Sequence, residues 1–132
     1  MSLQEGKYVI FVEAMKRDTD EKSAMAPYLG ETAIVSKIED ELYITFMLTE
    51  QKIITGFQLS NDNDEFYEAI DTQVNEELDN RYEMFQIKEL TDSIVARVQY
   101  EVTYEGRKID GDEQLRLMFD LNSLKNVEEL DL

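Results

Sequence analysis

The chain contains no cysteine and no histidine. Without thiols it can build no disulfide framework, zinc–thiolate site, iron–sulfur cluster or cysteine nucleophile. Without imidazole it has no Ser-His triad and no histidine ligand for a metal. Cations are scarce as well: 13 lysines and arginines stand against 30 carboxylates, a net charge of −17 over 132 residues. Nucleic acid and anionic membrane surfaces are therefore poor partners, since both require a basic face. There is one proline, Pro27. No apolar run approaches the roughly 20 residues that cross a bilayer. Met1 to Gly6 lacks the hydrophobic region of an export signal. The expectation is either a cytosolic protein or a domain excised from a longer precursor, because an absence of cysteine fits either compartment.

What the chain does have is 42% hydrophobic residues, enough for one packed domain at this length. The clearest element is Ser93 to Tyr104, where Val98, Tyr100, Val102 and Tyr104 alternate with Arg97, Gln99, Glu101 and Thr103. Period two with one apolar face predicts a half-buried strand. Glu105-Gly106-Arg107 supplies turn chemistry, and the chain returns through Leu115, Leu117, Phe119 and Leu121 on alternate positions. A hairpin results.

The rest of the chain offers strands for the same sheets. Lys7–Met15, Thr32–Ile38, Leu42–Thr49 and Ile53–Leu59 are rich in β-branched and aromatic residues. Gly56 inside the last of these predicts a bulge or close backbone approach. Between the first two, Ser23 can cap a short helical turn that Pro27 keeps short. Phe66 to Leu90 is ambiguous: Leu78, Tyr82 and Phe85 suit a helix face, while turn spacing suits short strands at Tyr67–Ile70 and Tyr82–Lys88. Leu124, Val127 and Leu130 behind Asn122-Ser123 predict a short terminal helix. The sum is all-β: an immunoglobulin-like antiparallel β-sandwich of seven or eight strands with one short 3-10 turn, a small barrel being the alternative. The predicted organisation is an N-terminal extension over 1–5, the sandwich over 6–121 and a tail over 122–132.

Chemistry-bearing clusters are few. The acidic loops at Asp62–Glu65 and Asp110–Glu113 lack the spacing of an EF-hand and read as solvated charge. Thirty carboxylates guarantee chance pairs, yet no motif selects two of them for acid–base work, so no enzymatic activity is expected.

Four stretches resemble a known family in its order and spacing. They are Gly6-Lys7-Tyr8-Val9, Glu21 to Tyr28 (EKSAMAPY), Glu41-Leu42-Tyr43-Ile44 and Ile53 to Phe57 (IITGF). The family is the NEAT (near iron transporter) domain of Gram-positive surface proteins, and the likeness runs from Gly6 to Leu121. It implies an immunoglobulin-like sandwich that binds haem or a haemoprotein in iron acquisition. It implies an extracellular, cell-wall-associated setting, with no nucleic acid partner and no membrane insertion. The Ser-x-Met-x-x-Tyr pattern of Ser23, Met25 and Tyr28 matches the short turn that forms one lip of the family's haem pocket. By that resemblance Ser23 would hydrogen-bond a propionate and Met25 would pack on the porphyrin.

The chain departs from the family on its last strand. Where the family carries Tyr-x-x-x-Tyr, whose first tyrosine holds the iron, this chain has Gly111 and Leu115. A Tyr-x-x-x-Tyr does occur one strand earlier, at Tyr100 and Tyr104. Four extended residues span about 13 Å, so one of the two at most could meet an iron atom. With histidine and cysteine absent, a phenolate is the strong ligand available, Met25 being a weaker one. The competing account is that both tyrosines are packing residues with hydroxyls at the rim. Lys16, Arg17 and Lys22, just ahead of Ser23, are the cations expected to offset the acidic background for an anionic ligand. A domain that keeps the fold but has lost the iron ligand would instead dock a haemoprotein or another surface protein.

Overall fold

The structure, a computed structural model, describes residues 3–61 and 64–129. Among the described residues, nine antiparallel strands form one continuous hydrogen-bonded sheet folded over on itself. In chain order they are β1 (Gly6–Lys16), β2 (Leu29–Ile38), β3 (Glu41–Thr49), β4 (Ile54–Ser60), β5 (Phe66–Glu68), β6 (Asp71–Asn75), β7 (Asn80–Ile87), β8 (Ser93–Tyr104) and β9 (Arg107–Asn126). A 3-10 turn, Ala26–Tyr28, precedes β2, and a second, Val127–Glu129, follows β9.

The order across the sheet is β5-β4-β8-β9-β1-β2-β3-β7-β6. β9 joins the two layers of the sandwich: Arg107 to Met118 pair with β8, and Leu115 to Asn126 pair with β1. The layers face each other through aromatic rings. Phe57 on β4 meets Phe46 on β3 at 5.6 Å and Phe85 on β7 at 5.5 Å, both edge to face. All three rings are buried, and such pairs add to the area they bury. β5 and β6, the two sheet edges, are connected by Ala69 and Ile70 alone. The chain thus steps from one layer to the other and closes that side of the sandwich.

The expected all-β immunoglobulin-like sandwich is present, with nine strands instead of seven or eight. The increase comes from the ambiguous region, which splits into β5, β6 and β7. Leu78 sits exposed in the turn between β6 and β7, and Tyr82 is exposed on β7 while Phe85 is buried. A shared helix face for these three does not exist, because alternation on β7 places Tyr82 and Phe85 on opposite faces. Gly56 stands where the β4–β8 register shifts, as its position suggested.

Of the short terminal helix expected behind Asn122-Ser123, the described residues form one 3-10 turn, Val127–Glu129. β9 continues through Leu121 to Asn126, and only the 3-10 turn follows it; Leu130 lies outside the described residues. Between the pairs Val9–Lys125 and Phe11–Asp120, two steps on β1 oppose five on β9, so β9 bulges. Asn122 and Ser123 make that bulge instead of a cap. Asn122 N–H donates to Asp120 Oδ1 at 3.1 Å, and Ser123 Oγ accepts the Phe11 N–H at 2.9 Å. At the other end Leu3 packs against the core, and Gln4 C=O accepts the Tyr8 hydroxyl at 2.8 Å.

Candidate functional site

Two elements overhang one end of the sandwich: the Ser23–Leu29 lip and the β8–β9 hairpin. The lip forms because Ser23 stops β1's neighbour and starts a turn. Ser23 N–H donates to Ala14 C=O at 3.0 Å, while Ser23 Oγ accepts the Met25 N–H at 3.0 Å. Ala26 N–H and Tyr28 N–H donate to the carbonyls of Ser23 and Met25, each at 3.0 Å. Pro27 fits the start of the turn, where no N–H is needed. Thr49 on β3 donates its hydroxyl to Pro27 C=O at 3.1 Å and pins the lip to β3.

Ser23 and Met25 are both buried, 5% and 6% exposed. The Ser23 oxygen is engaged by its own lip, and Met25 belongs to the hydrophobic core. Beneath the lip is a cavity of about 10 Å³ lined by Met25, Tyr28, Leu48, Ile54, Phe57 and Val98 among others. This is far below the several hundred Å³ of an enclosed small-molecule pocket. A large flat ligand would therefore lie beyond this cavity, along the inner face of the hairpin.

The hairpin supplies the second face. β8 and β9 join through Glu105 (φ 50°) and Gly106 (φ 76°), two consecutive left-handed residues that give the tight turn favoured between twisted strands. Ala96 and Val98 are buried on the inner face; Tyr100 and Val102 are half-buried, and Tyr104 is 65% exposed. Tyr100 is directly opposite Gly111. A Cβ added to Gly111 would fall within the Tyr100 ring, overlapping Cζ, Cε1 and the hydroxyl oxygen. The ring thus covers the glycine backbone, and the phenol oxygen lies where a side chain from position 111 would begin.

The structure thus brings Met25 and Tyr28 together with Val98 around one small apolar space, with Tyr100 next along the same face of β8. Tyr104 stands apart near the turn. Leu48, Ile54 and Phe57 form the floor of this space without a local signal, because their place in it depends on how the layers meet. Charges near the lip are mostly spoken for. Lys16 lies 3.6 Å from Glu21 and Lys22 lies 3.8 Å from Glu13, so two of the three cations expected to face a ligand are paired with neighbouring carboxylates. On the outer face of the hairpin Arg97 holds Asp112, its Nε donating to Oδ1 at 2.8 Å. The hydrogen bonds from Arg97 keep the Asp112 carboxyl below its ordinary range.

Residues 1–121 match the sequence family NEAT, the Iron Transport-associated domain, which is most of the chain. The chain belongs to this family. Among solved structures it is similar to a mutant of the NEAT5 domain of IsdX2 in complex with heme, at 21% identity and a TM-score of 0.77. It is similar also to the NEAT5 domain of IsdX2, a B. anthracis hemophore in complex with heme, at 20% identity and a TM-score of 0.76. Each likeness covers 89% of this chain and 97% of the other, and shows a shared fold. No curated protein sequence matches the chain.

Proposed function

We propose that this domain binds haem between the Ser23–Leu29 lip and the inner face of the β8–β9 hairpin, as part of extracellular iron acquisition. Family membership and the haem-bound structural relatives support the ligand class. The observation that carries the reading is the position of Tyr100. Its ring crosses Gly111, so a phenol from β8 occupies the place from which a β9 side chain would rise. A phenolate oxygen suits ferric iron, and the chain has neither histidine nor cysteine to compete. Tyr28 and Met25 would border the ring from the lip, and Val102 would extend the apolar face. Tyr104 is the lesser candidate because it lies near the solvent-exposed turn.

Haemin titration of the parent, Tyr100→Phe and Tyr104→Phe tests this. Phenylalanine keeps ring volume and removes the oxygen, so the fold is retained. A tyrosinate-type absorption spectrum in the parent and in Tyr104→Phe, lost in Tyr100→Phe, is the expected result. Equal spectra in all three would remove Tyr100 as the ligand.

A second reading is favoured by two observations: Gly111 and Leu115 carry no iron ligand, and the space under the lip is nearly filled. On that reading lip and hairpin form a docking face for a haemoprotein or another surface protein. A parent protein that takes up no haemin would bring it forward.

A further inference from the structure

An anionic ligand approaching a chain of net charge −17 is repelled at long range, so a cation on the ligand face decides whether it can settle. Most cations near the site are committed. Lys16 and Lys22 are paired with Glu21 and Glu13, and Arg116 lies 2.8 Å from Asp20. On the outer face of the hairpin, Arg97 holds Asp112 and Lys108 lies 3.5 Å from Glu101.

Arg107 differs in both face and partner. It is the cross-strand neighbour of Tyr104, and the pair Val102–Ile109 comes next, followed by Tyr100–Gly111. Residues paired in this way share a face of the sheet, so Arg107 ends the inner face that carries Tyr100. It is exposed, and its guanidinium has no ion pair or hydrogen bond among the described residues. Around it the face is apolar and accessible, with Tyr104 and Ile109 at 65% and 46% exposure. The nearest carboxylate on that face of β9 is Glu113, six residues along the strand and so about 20 Å away. Among the described residues of β8 and β9, no carboxylate on this face lies nearer.

We propose that Arg107 is the anion anchor of the site. Its guanidinium holds a carboxylate of a flat apolar ligand lying on Tyr100, Val102 and Tyr104, and so sets which way round the ligand sits. Arginine suits the task because its planar fork matches a carboxylate in two parallel hydrogen bonds. The inference rests on the haem reading, with the two propionates as the carboxylates in question.

Haemin is titrated into the parent, Arg107→Gln, Arg107→Lys and Lys108→Gln, at low salt and at about 0.5 M salt, where screening is short-ranged. Arg107→Gln should bind roughly three- to tenfold more weakly at low salt, with the gap narrowing at high salt. Arg107→Lys should recover most of the loss. Lys108→Gln makes the same change of net charge on the opposite face and should shift binding less than about twofold. Equal affinity of Arg107→Gln and parent at both salts overturns the anchor while leaving haem binding intact. An equal loss in Lys108→Gln overturns it too, by showing that net charge alone matters. Failure of the parent to bind haemin ends both this inference and the haem reading.

Discussion

The phenol ring of Tyr100 on β8 lies over the backbone of Gly111 on β9, its cross-strand partner. The glycine is not needed for its torsion angles, since no positive φ is recorded there. It is needed for space. An aromatic ring laid across a strand glycine shields backbone that would otherwise be solvated, and the absent Cβ leaves the room for it. The loss of a β9 side chain and the gain of a β8 ring are therefore one arrangement.

Adding a methyl group tests that coupling. Gly111→Ala should destabilise the parent by about 1–3 kcal/mol, because the ring must leave its position. In a Tyr100→Ala background the same substitution should cost little or improve stability, since alanine suits a strand better than glycine. Urea unfolding of the four proteins gives the coupling directly. Additive effects would show that the two residues do not share this space.

The lip offers a second test, because packing and ligand contact make different demands on Met25. It is buried, and it lines the space beneath the lip together with Leu48, Ile54, Phe57 and Val98. Met25→Ala should cost about 2–4 kcal/mol of stability in the ligand-free protein. Ser23→Ala removes the oxygen that accepts the Met25 N–H and should cost about 1 kcal/mol. A Met25→Ala protein as stable as the parent would mean that this side chain serves only as a ligand contact.

Strand positions could be read from the sequence wherever one face is wet and the other dry, because alternation then shows directly. β3, β8 and the Leu115–Phe119 stretch of β9 are of this kind. β6 could not be read, since all five of its residues are exposed and nothing alternates. The tail misled for a different reason: Leu124 lies in the bulge of β9 and Val127 in the turn after it, so their helical spacing marks no shared helix face. The lip motif was legible as a turn because Ser23 and Pro27 are local signals. The contact between Tyr100 and Gly111 was not, because it depends on strand register, and a shift of one residue would have turned Tyr100 to the other face.

Glu83 provides a test of stability away from the site. It sits on β7, 8% exposed, and Arg81 Nε lies 3.3 Å from its Oε1 without hydrogen-bond geometry. Burial raises its pKa above the ordinary 4.5; Arg81 opposes the rise without cancelling it, Glu68 adds to it, and a hydrogen bond from Thr72 on β6 lowers it slightly. A raised folded-state value means that the native protein binds this proton more tightly than the unfolded chain does. The stabilisation from Glu83 is then fully present below pH 4.5 and is lost as pH rises through the raised folded value. Glu83→Gln cannot titrate. It leaves Arg81 without its carboxylate at every pH, a constant penalty because arginine stays protonated throughout. The difference in unfolding free energy, parent minus Glu83→Gln, should therefore be greatest near pH 4 and fall steadily towards pH 7. Urea midpoints across that range measure it, and the acid titration shared by the other carboxylates cancels between the two proteins. A difference that stays flat, or grows with pH, would show that the attraction of Arg81 outweighs burial at this position.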